Sequence, residues 1–143
     1  MATLSIRIDL GPGNRLGPGK VQLLEMIAAH GSISAAGRAL GMSYRRAWML
    51  VEAINAGFRQ PVVEAQIGGR SGGGARLSAF GAEVVAQYRA VERLAAEAAA
   101  PLLVRLEGAA ADPSGDRGGS GDRPEGGGDG APLGGEIAGG DGA

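Results

Sequence analysis

Ser32-Ile33-Ser34-Ala35-Ala36-Gly37-Arg38-Ala39-Leu40-Gly41-Met42-Ser43-Tyr44-Arg45-Arg46-Ala47-Trp48-Met49-Leu50 is the stretch that decides the fold. Ser32 suits the cap of a short helix reaching about Leu40, because a serine oxygen accepts from an N–H that the first turn leaves unpaired. Gly41 closes that helix, and after Met42 a second serine, Ser43, caps a longer one running to about Arg59, before Pro61. In the longer helix Ala47, Leu50, Val51, Ile54 and Phe58 form one apolar stripe. Two helices joined only by Gly-Met-Ser must cross steeply, and a steep crossing needs small residues where the backbones meet. Ala36, Gly37 and Ala47 stand there.

Working outward, Leu4-Ser5-Ile6-Arg7-Ile8-Asp9-Leu10 alternates as a half-buried strand, and residues 11–14 (Gly-Pro-Gly-Asn) make a turn. Gly17-Pro18 opens a first helix with Val21, Leu24, Ile27 and Ala28 at helical spacing, stopped by Gly31. Downstream, residues 62–67 read as a strand, residues 68–74 as a flexible glycine-rich connector, and Ala75-Arg76-Leu77 as the returning strand. Ser78 then caps a long fourth helix with Val84, Val85, Tyr88, Val91, Leu94, Ala95 and Ala98 along it. Pro101 is expected to kink or interrupt it, with residues 102–106 as an apolar continuation. The fold expected is mainly α with a small β-hairpin wing: a winged helix-turn-helix with a long C-terminal dimerisation helix. Three short helices cannot cover the apolar surface of the fourth, so that surface reads as a dimer seam involving Val84, Tyr88, Val91 and Leu94.

The chain has 143 residues and a net charge of −1, but the charge is unevenly placed. Residues 1–107 carry 12 basic and 8 acidic side chains, whereas residues 108–143 carry 2 basic and 7 acidic ones and half of the 28 glycines. The division expected is therefore a mildly basic domain over 1–107 and a disordered, acidic, Gly-rich tail over 108–143. The tail reads as an inert solubilising extension or as a weak competitor for the basic face. With no cysteine, disulfides, Cys-ligated metals and thiol nucleophiles are excluded. One histidine, His30, fits a helix C-terminus better than a metal site or a relay. Residues 14–21 superficially suggest a nucleotide loop, but Asn14 stands where a P-loop needs Gly and Val21 where it needs Ser or Thr. No paired carboxylates point to an enzyme. No apolar run or signal-like N-terminus points to a membrane, so a cytoplasmic location without cofactor or metal is expected.

Residues 31–36 (Gly-Ser-Ile-Ser-Ala-Ala), 42–48 (Met-Ser-Tyr-Arg-Arg-Ala-Trp) and 68–77 (Gly-Gly-Arg-Ser-Gly-Gly-Gly-Ala-Arg-Leu) together resemble the N-terminal domain of the ModE family of molybdate-dependent regulators, which is related at this domain to LysR-type regulators. The resemblance covers roughly residues 4–98. It implies a homodimeric transcriptional regulator of double-stranded DNA, dimerised largely through the fourth helix. Full-length members carry oxyanion-binding domains after this one. Residues 108–143 are too short and too polar to form such a domain, so no molybdate binding is expected from this chain alone.

On the third helix the core-facing stripe leaves Arg45, Met49 and Glu52 on the opposite face, with Arg46 and Trp48 on the flanks. A recognition helix presents its N-terminal turns to the major groove, which makes Tyr44, Arg45, Arg46, Trp48 and Met49 candidates for DNA contact. Arg45 or Arg46 suits bidentate reading of guanine, and Ser43 and Tyr44 suit phosphate oxygens. Trp48 fits half-buried packing equally well, and acidic Glu52 ends the contact face. Arg70, among five wing glycines, suits a phosphate backbone or minor groove, and Arg76 a phosphate. Ser32 and Ser34 can meet a phosphate near the start of the second helix, although capping alone explains Ser32 as well. The alternative is a protein-interaction module on the same fold without sequence-specific DNA binding.

Overall fold

The computed structural model describes residues 1–66 and 73–112. Its order is β1 (Ile8–Gly11), β2 (Asn14–Leu16), α1 (Pro18–His30), α2 (Ile33–Ala39), α3 (Tyr44–Ala56), β3 (Val63–Gln66), β4 (Gly74–Leu77) and α4 (Ala79–Ala109). The caps stand where serine chemistry puts them. Ser32, Ser43 and Ser78 accept from the backbone N–H groups of Ala35, Arg46 and Gly81 at 2.9, 3.2 and 2.8 Å. Gly31 and Gly41, at φ +72° and +68°, take the left-handed turns that end α1 and follow α2. His30 is the last residue of α1, at the carbonyl end of its dipole.

Residues 4–10 do not form one strand. Only Ile8 onward is paired, and β1 folds back on β2 as an antiparallel hairpin, with Ile8 opposite Leu16 and Asp9 opposite Arg15. The alternation still holds from Leu4 to Ile8, apolar side chains being partly covered and their neighbours exposed, whereas Leu10 is exposed. The second hairpin forms as expected, and its register sets Val63 opposite Leu77 and Glu64 opposite Arg76. It is tied to the α1–α2 corner, where the Ala75 N–H donates to the Gly31 carbonyl at 2.9 Å.

Val21, Leu23, Leu24 and Ile27 of α1 form the centre of the core, each fully buried and each worth about 1.5–3 kcal/mol relative to exposure. Ile33 and Ala36 of α2, Ala47, Val51 and Ile54 of α3, Val62, Val63 and Ala75 complete it. The α2–α3 crossing is as tight as its small residues allow: a Cβ on Gly37 would stand 3.0 Å from the Ala47 Cβ. α3 ends at Ala56, one turn earlier than its pattern suggests. The Asn55 side chain accounts for the next step. Its oxygen accepts from the N–H groups of Val62 and Val63 at 2.8 and 3.0 Å, and its nitrogen donates to the Val63 carbonyl, starting β3.

α4 corrects two expectations. It runs through Pro101 to Ala109 without a break, because alanines and leucines on both sides favour helix strongly enough to carry one lost hydrogen bond. Val84 and Tyr88, expected at a dimer seam, are buried in the chain's own core instead. Val91 and Leu94 are exposed, followed by exposed Leu102, Val104 and Leu106. Arg89 joins α4 to α1 by pairing with Glu25, and also pairs with Glu92. These hydrogen bonds, to Glu25 first, raise the pKa of its guanidinium further.

The Tyr88 hydroxyl donates to the Ile6 carbonyl at 2.6 Å and so fastens the segment before β1 to α4. Burial, and next the nearby Glu92 carboxylate, push the Tyr88 pKa above its ordinary 10.0. A phenol whose folded pKa is raised stabilises the fold below its unfolded pKa, and that contribution is lost as pH rises through the folded value. Tyr88→Phe is expected to lower stability by about 1 kcal/mol at neutral pH. It is also expected to flatten the loss of stability as pH rises above the ordinary tyrosine value of 10.0, as read by urea unfolding on both sides of it.

Candidate nucleic-acid interface

α3 buries Ala47, Val51 and Ile54 and turns three other sides outward. Its central ridge carries Tyr44, Arg45, Trp48, Met49 and Glu52 around one shallow depression. Tyr44 and Trp48, one turn apart, meet edge to face at 6.0 Å between ring centres. Trp48 is 41% exposed and Tyr44 60%, so this aromatic pair lies at the surface and not in the core. Arg45 and Met49 are exposed beside it. The carboxylate of Glu52 closes the C-terminal end of the ridge.

One flank of α3 borders a groove shared with α2 and the β3–β4 hairpin, lined by Ser32, Ser34, Arg38, Tyr44, Trp48 and Gly74 among others. Arg38, exposed one turn after Ser34, donates to the Ser34 hydroxyl at 3.4 Å. Sequence reading passed over Arg38. Its signal was the four-residue spacing from Ser34, which puts both on one face of α2. Ser32 and Ser43 serve as caps, and a hydroxyl that accepts from a cap N–H still has a proton to donate. Arg76 faces Glu64 across the hairpin at 3.6 Å, an exposed pair that contributes little and leaves the guanidinium exchangeable. Arg70, with Gly68, Gly69 and Gly72, lies outside the described residues, as do residues 113–143 of the expected tail.

The other flank carries Arg46, exposed and turned away from Arg45 toward the N-terminal hairpin. The fold therefore brings Ser43, Tyr44, Arg45, Trp48 and Met49 together, sets Ser32 and Ser34 on one side, and separates Arg46 to the other. Among the described residues no group of His, Cys, Asp and Glu side chains could hold a metal ion, and no helix is long and apolar enough to cross a membrane.

No family model matches the chain. Individual relatives do. The chain is 42% identical over 92 residues to the molybdenum-pterin-binding protein MopA of Rhodobacter capsulatus, a match covering 64% of this chain and 34% of that protein. It is 37% identical over 92 residues to the molybdenum transport protein ModE of Azotobacter vinelandii, covering 64% and 33%. It is 37% identical over 71 residues to the DNA-binding transcriptional dual regulator ModE of Escherichia coli K12, covering 50% and 27%. The chain thus spans about a third of the length of the curated relatives it matches. Over that shared segment, which amounts to half or more of its own length, the chain is a homologue of the ModE and Mop proteins.

Proposed function

We propose that this chain is a transcriptional regulator that binds duplex DNA, with α3 lying in the major groove. The observation that carries the reading is the outward ridge of α3. It exposes a hydrogen-bonding cation, two aromatic rings and a methionine on the N-terminal turns of a capped helix, with Ser32 and Ser34 in the groove along its flank. Arg45, at the centre of the ridge, suits a guanine edge, and Met49 and Trp48 suit thymine methyls or sugars. Ser32, Ser34, Ser43, Tyr44, Arg46 and Arg76 suit phosphates, which fix register without reading sequence. The role of a regulator fits the name of the Escherichia coli relative, and genes of molybdenum metabolism are the targets we infer from the names of the others.

The active form in this reading is a homodimer. Val91, Leu94, Leu102, Val104 and Leu106 leave a run of large apolar side chains exposed on α4, more than a monomer ordinarily shows on one helix. Two α3 helices held by such a seam would address half-sites about one helical turn apart, so a pseudo-palindromic operator is expected. Leu94→Glu/Leu102→Glu is expected to convert the dimer to monomer in sedimentation equilibrium and to weaken operator binding. Dimers that survive both substitutions would place the seam elsewhere.

The test of the function is selection of genomic fragments by the purified chain, wild type against Arg45→Ala/Arg46→Ala, at two salt concentrations. A palindromic motif present in the first and lost in the second supports the reading. Binding without a motif, unchanged by the substitutions, would instead favour a protein-interaction module using α4.

A further inference from the structure

Four of the 12 basic side chains in residues 1–107 converge beside α3, and only Arg46 of them was a candidate for DNA contact. Arg7, Arg15 and Lys20, from three successive segments at the N-terminal end of the domain, line one groove with Arg46, Met42 and Leu50 from the α2–α3 turn and α3. The stem of Arg7 lies over Gly17, close enough that a Cβ there would stand 3.7 Å from the Arg7 Cγ. The Lys20 ammonium donates to the Arg15 carbonyl at 2.7 Å, which fastens the start of α1 to β2 and holds these charges together. α1 itself begins at Gly17 with no side-chain cap and no acidic residue in its first turn, so the positive end of its dipole opens on the same place. The carboxylate facing these cations is Asp9, which pairs with Arg15 at 3.2 Å across the hairpin; both side chains are about two-thirds exposed, so the pair exchanges readily for another anion.

Gathering cations in this way is unfavourable unless a polyanion meets them. The position of the groove says which one. It lies along the flank of α3 opposite the groove bordered by the β3–β4 hairpin. A helix seated in a major groove about 12 Å wide has one phosphate backbone on each side of it. We propose that the N-terminal hairpin is a second phosphate grip. Arg7, Arg15 and Lys20, with Arg46, hold the strand on one side of α3 while Ser32, Ser34 and Arg76 meet the strand on the other. The inference rests on the DNA-binding reading and adds to it three contact residues and a two-sided clamp. Glycines at 13 and 19 in the groove wall, with open space where a Cβ would stand, let phosphate oxygens approach the backbone.

The experiment measures binding of the full chain to a mixed-sequence duplex of about 30 base pairs over a series of salt concentrations. Arg7→Gln/Arg15→Gln/Lys20→Gln is expected to reduce the slope of log K against log salt by about 2–3 and to weaken binding roughly a hundredfold near physiological salt. The loss should be uniform across sequences, since phosphate contacts carry no base information. Arg7→Gln alone, which breaks neither the Asp9 pair nor the Lys20 bond, should reduce the slope by about 1 with an unchanged melting temperature. Arg7→Lys/Arg15→Lys should keep the wild-type slope. Unchanged slopes in both glutamine variants, with wild-type binding intact, would overturn the grip alone. A wild-type chain that binds no duplex at low salt would overturn the DNA-binding reading, and the grip with it.

Discussion

Arg45→Ala/Arg46→Ala is expected to reduce binding to a selected operator by between about 10² and 10⁴-fold, since a well-placed arginine at a guanine is worth about 1–3 kcal/mol and each of the two half-sites of the proposed dimer would lose one, together with an Arg46 phosphate contact. The single variants should separate. Arg45 sits on the outward ridge with Met49 and Glu52, so Arg45→Ala should relax the preference at particular base pairs while leaving the salt slope nearly unchanged. Arg46 is turned to the flank beside Arg7, Arg15 and Lys20, so Arg46→Ala should weaken all sequences alike and lower the slope by about 1. Fluorescence anisotropy on operator and scrambled duplexes at several salt concentrations reads both quantities. The fold should survive all three variants, because both arginines are exposed and the cap at Ser43 uses only the Arg46 backbone. Equal effects of the two single variants on sequence preference would contradict the division of labour on α3.

Gly81→Ala is expected to be strongly destabilising, because among the described glycines Gly81 leaves the least room for a Cβ. A Cβ at this position would overlap the Val62 carbonyl oxygen and stand 3.0 Å from its carbon, a clash with backbone that no side-chain rotation relieves. Nor can Val62 retreat. Its carbonyl accepts from the Ser78 N–H at 2.9 Å, while the Ser78 hydroxyl donates to the Pro61 carbonyl at 2.6 Å and accepts from the Gly81 N–H. Overpacking at such a site costs about 3 kcal/mol. In a domain of this size that corresponds to a fall of roughly 10–20 °C in Tm, checked by calorimetry of the wild type and variant. Gly37→Ala, whose Cβ would stand 3.0 Å from the Ala47 Cβ and 3.6 and 3.7 Å from the Met42 Cγ and carbonyl oxygen, is less crowded than this and should be milder. A Gly81→Ala protein melting within a few degrees of wild type would mean that the α4 start stands off from Val62.

The helices were legible in the sequence because their signals are local. A serine three residues before the N–H it caps, a glycine at a left-handed turn, and small residues at a steep crossing all act over a few positions. What the sequence hid depends on distant partners. Asn14 looks like a turn residue, yet its amide donates to the Gly57 carbonyl at 2.7 Å, and nothing near it announces that. Asn55 looks like a polar residue on a helix, yet it starts β3. β2 is three residues long and follows a bulge, too short for alternation to show. The apolar stripe of α4 was read correctly as a stripe, but periodicity cannot say how far the chain itself covers it. Tyr88 and Val84 lie under the N-terminal segment and the core, and only from Val91 onward is the stripe exposed. For the proposed interface, the outward placement of the α3 residues was legible from helical spacing. Arg38 had a local signal, its spacing from Ser34, but the grouping of Arg7, Arg15 and Lys20 with Arg46 had none, because it exists only once the N-terminal segments pack beside α3.

The ties around α3 decide how any signal could reach it. Its C-terminal end is fastened to the N-terminal hairpin by Asn14 and to β3 by Asn55, and Ser78 fastens α4 to the residues just before β3. These ties join α3, the N-terminal hairpin, β3 and the start of α4 into one block, and α3 could tilt by itself only by breaking them. A stimulus arriving along α4 would move that block as a whole. In the proposed homodimer, control would then work through the distance and angle between the two α3 helices on the double helix, in the way callipers are set, leaving the letters that each proposed reading helix recognises unchanged.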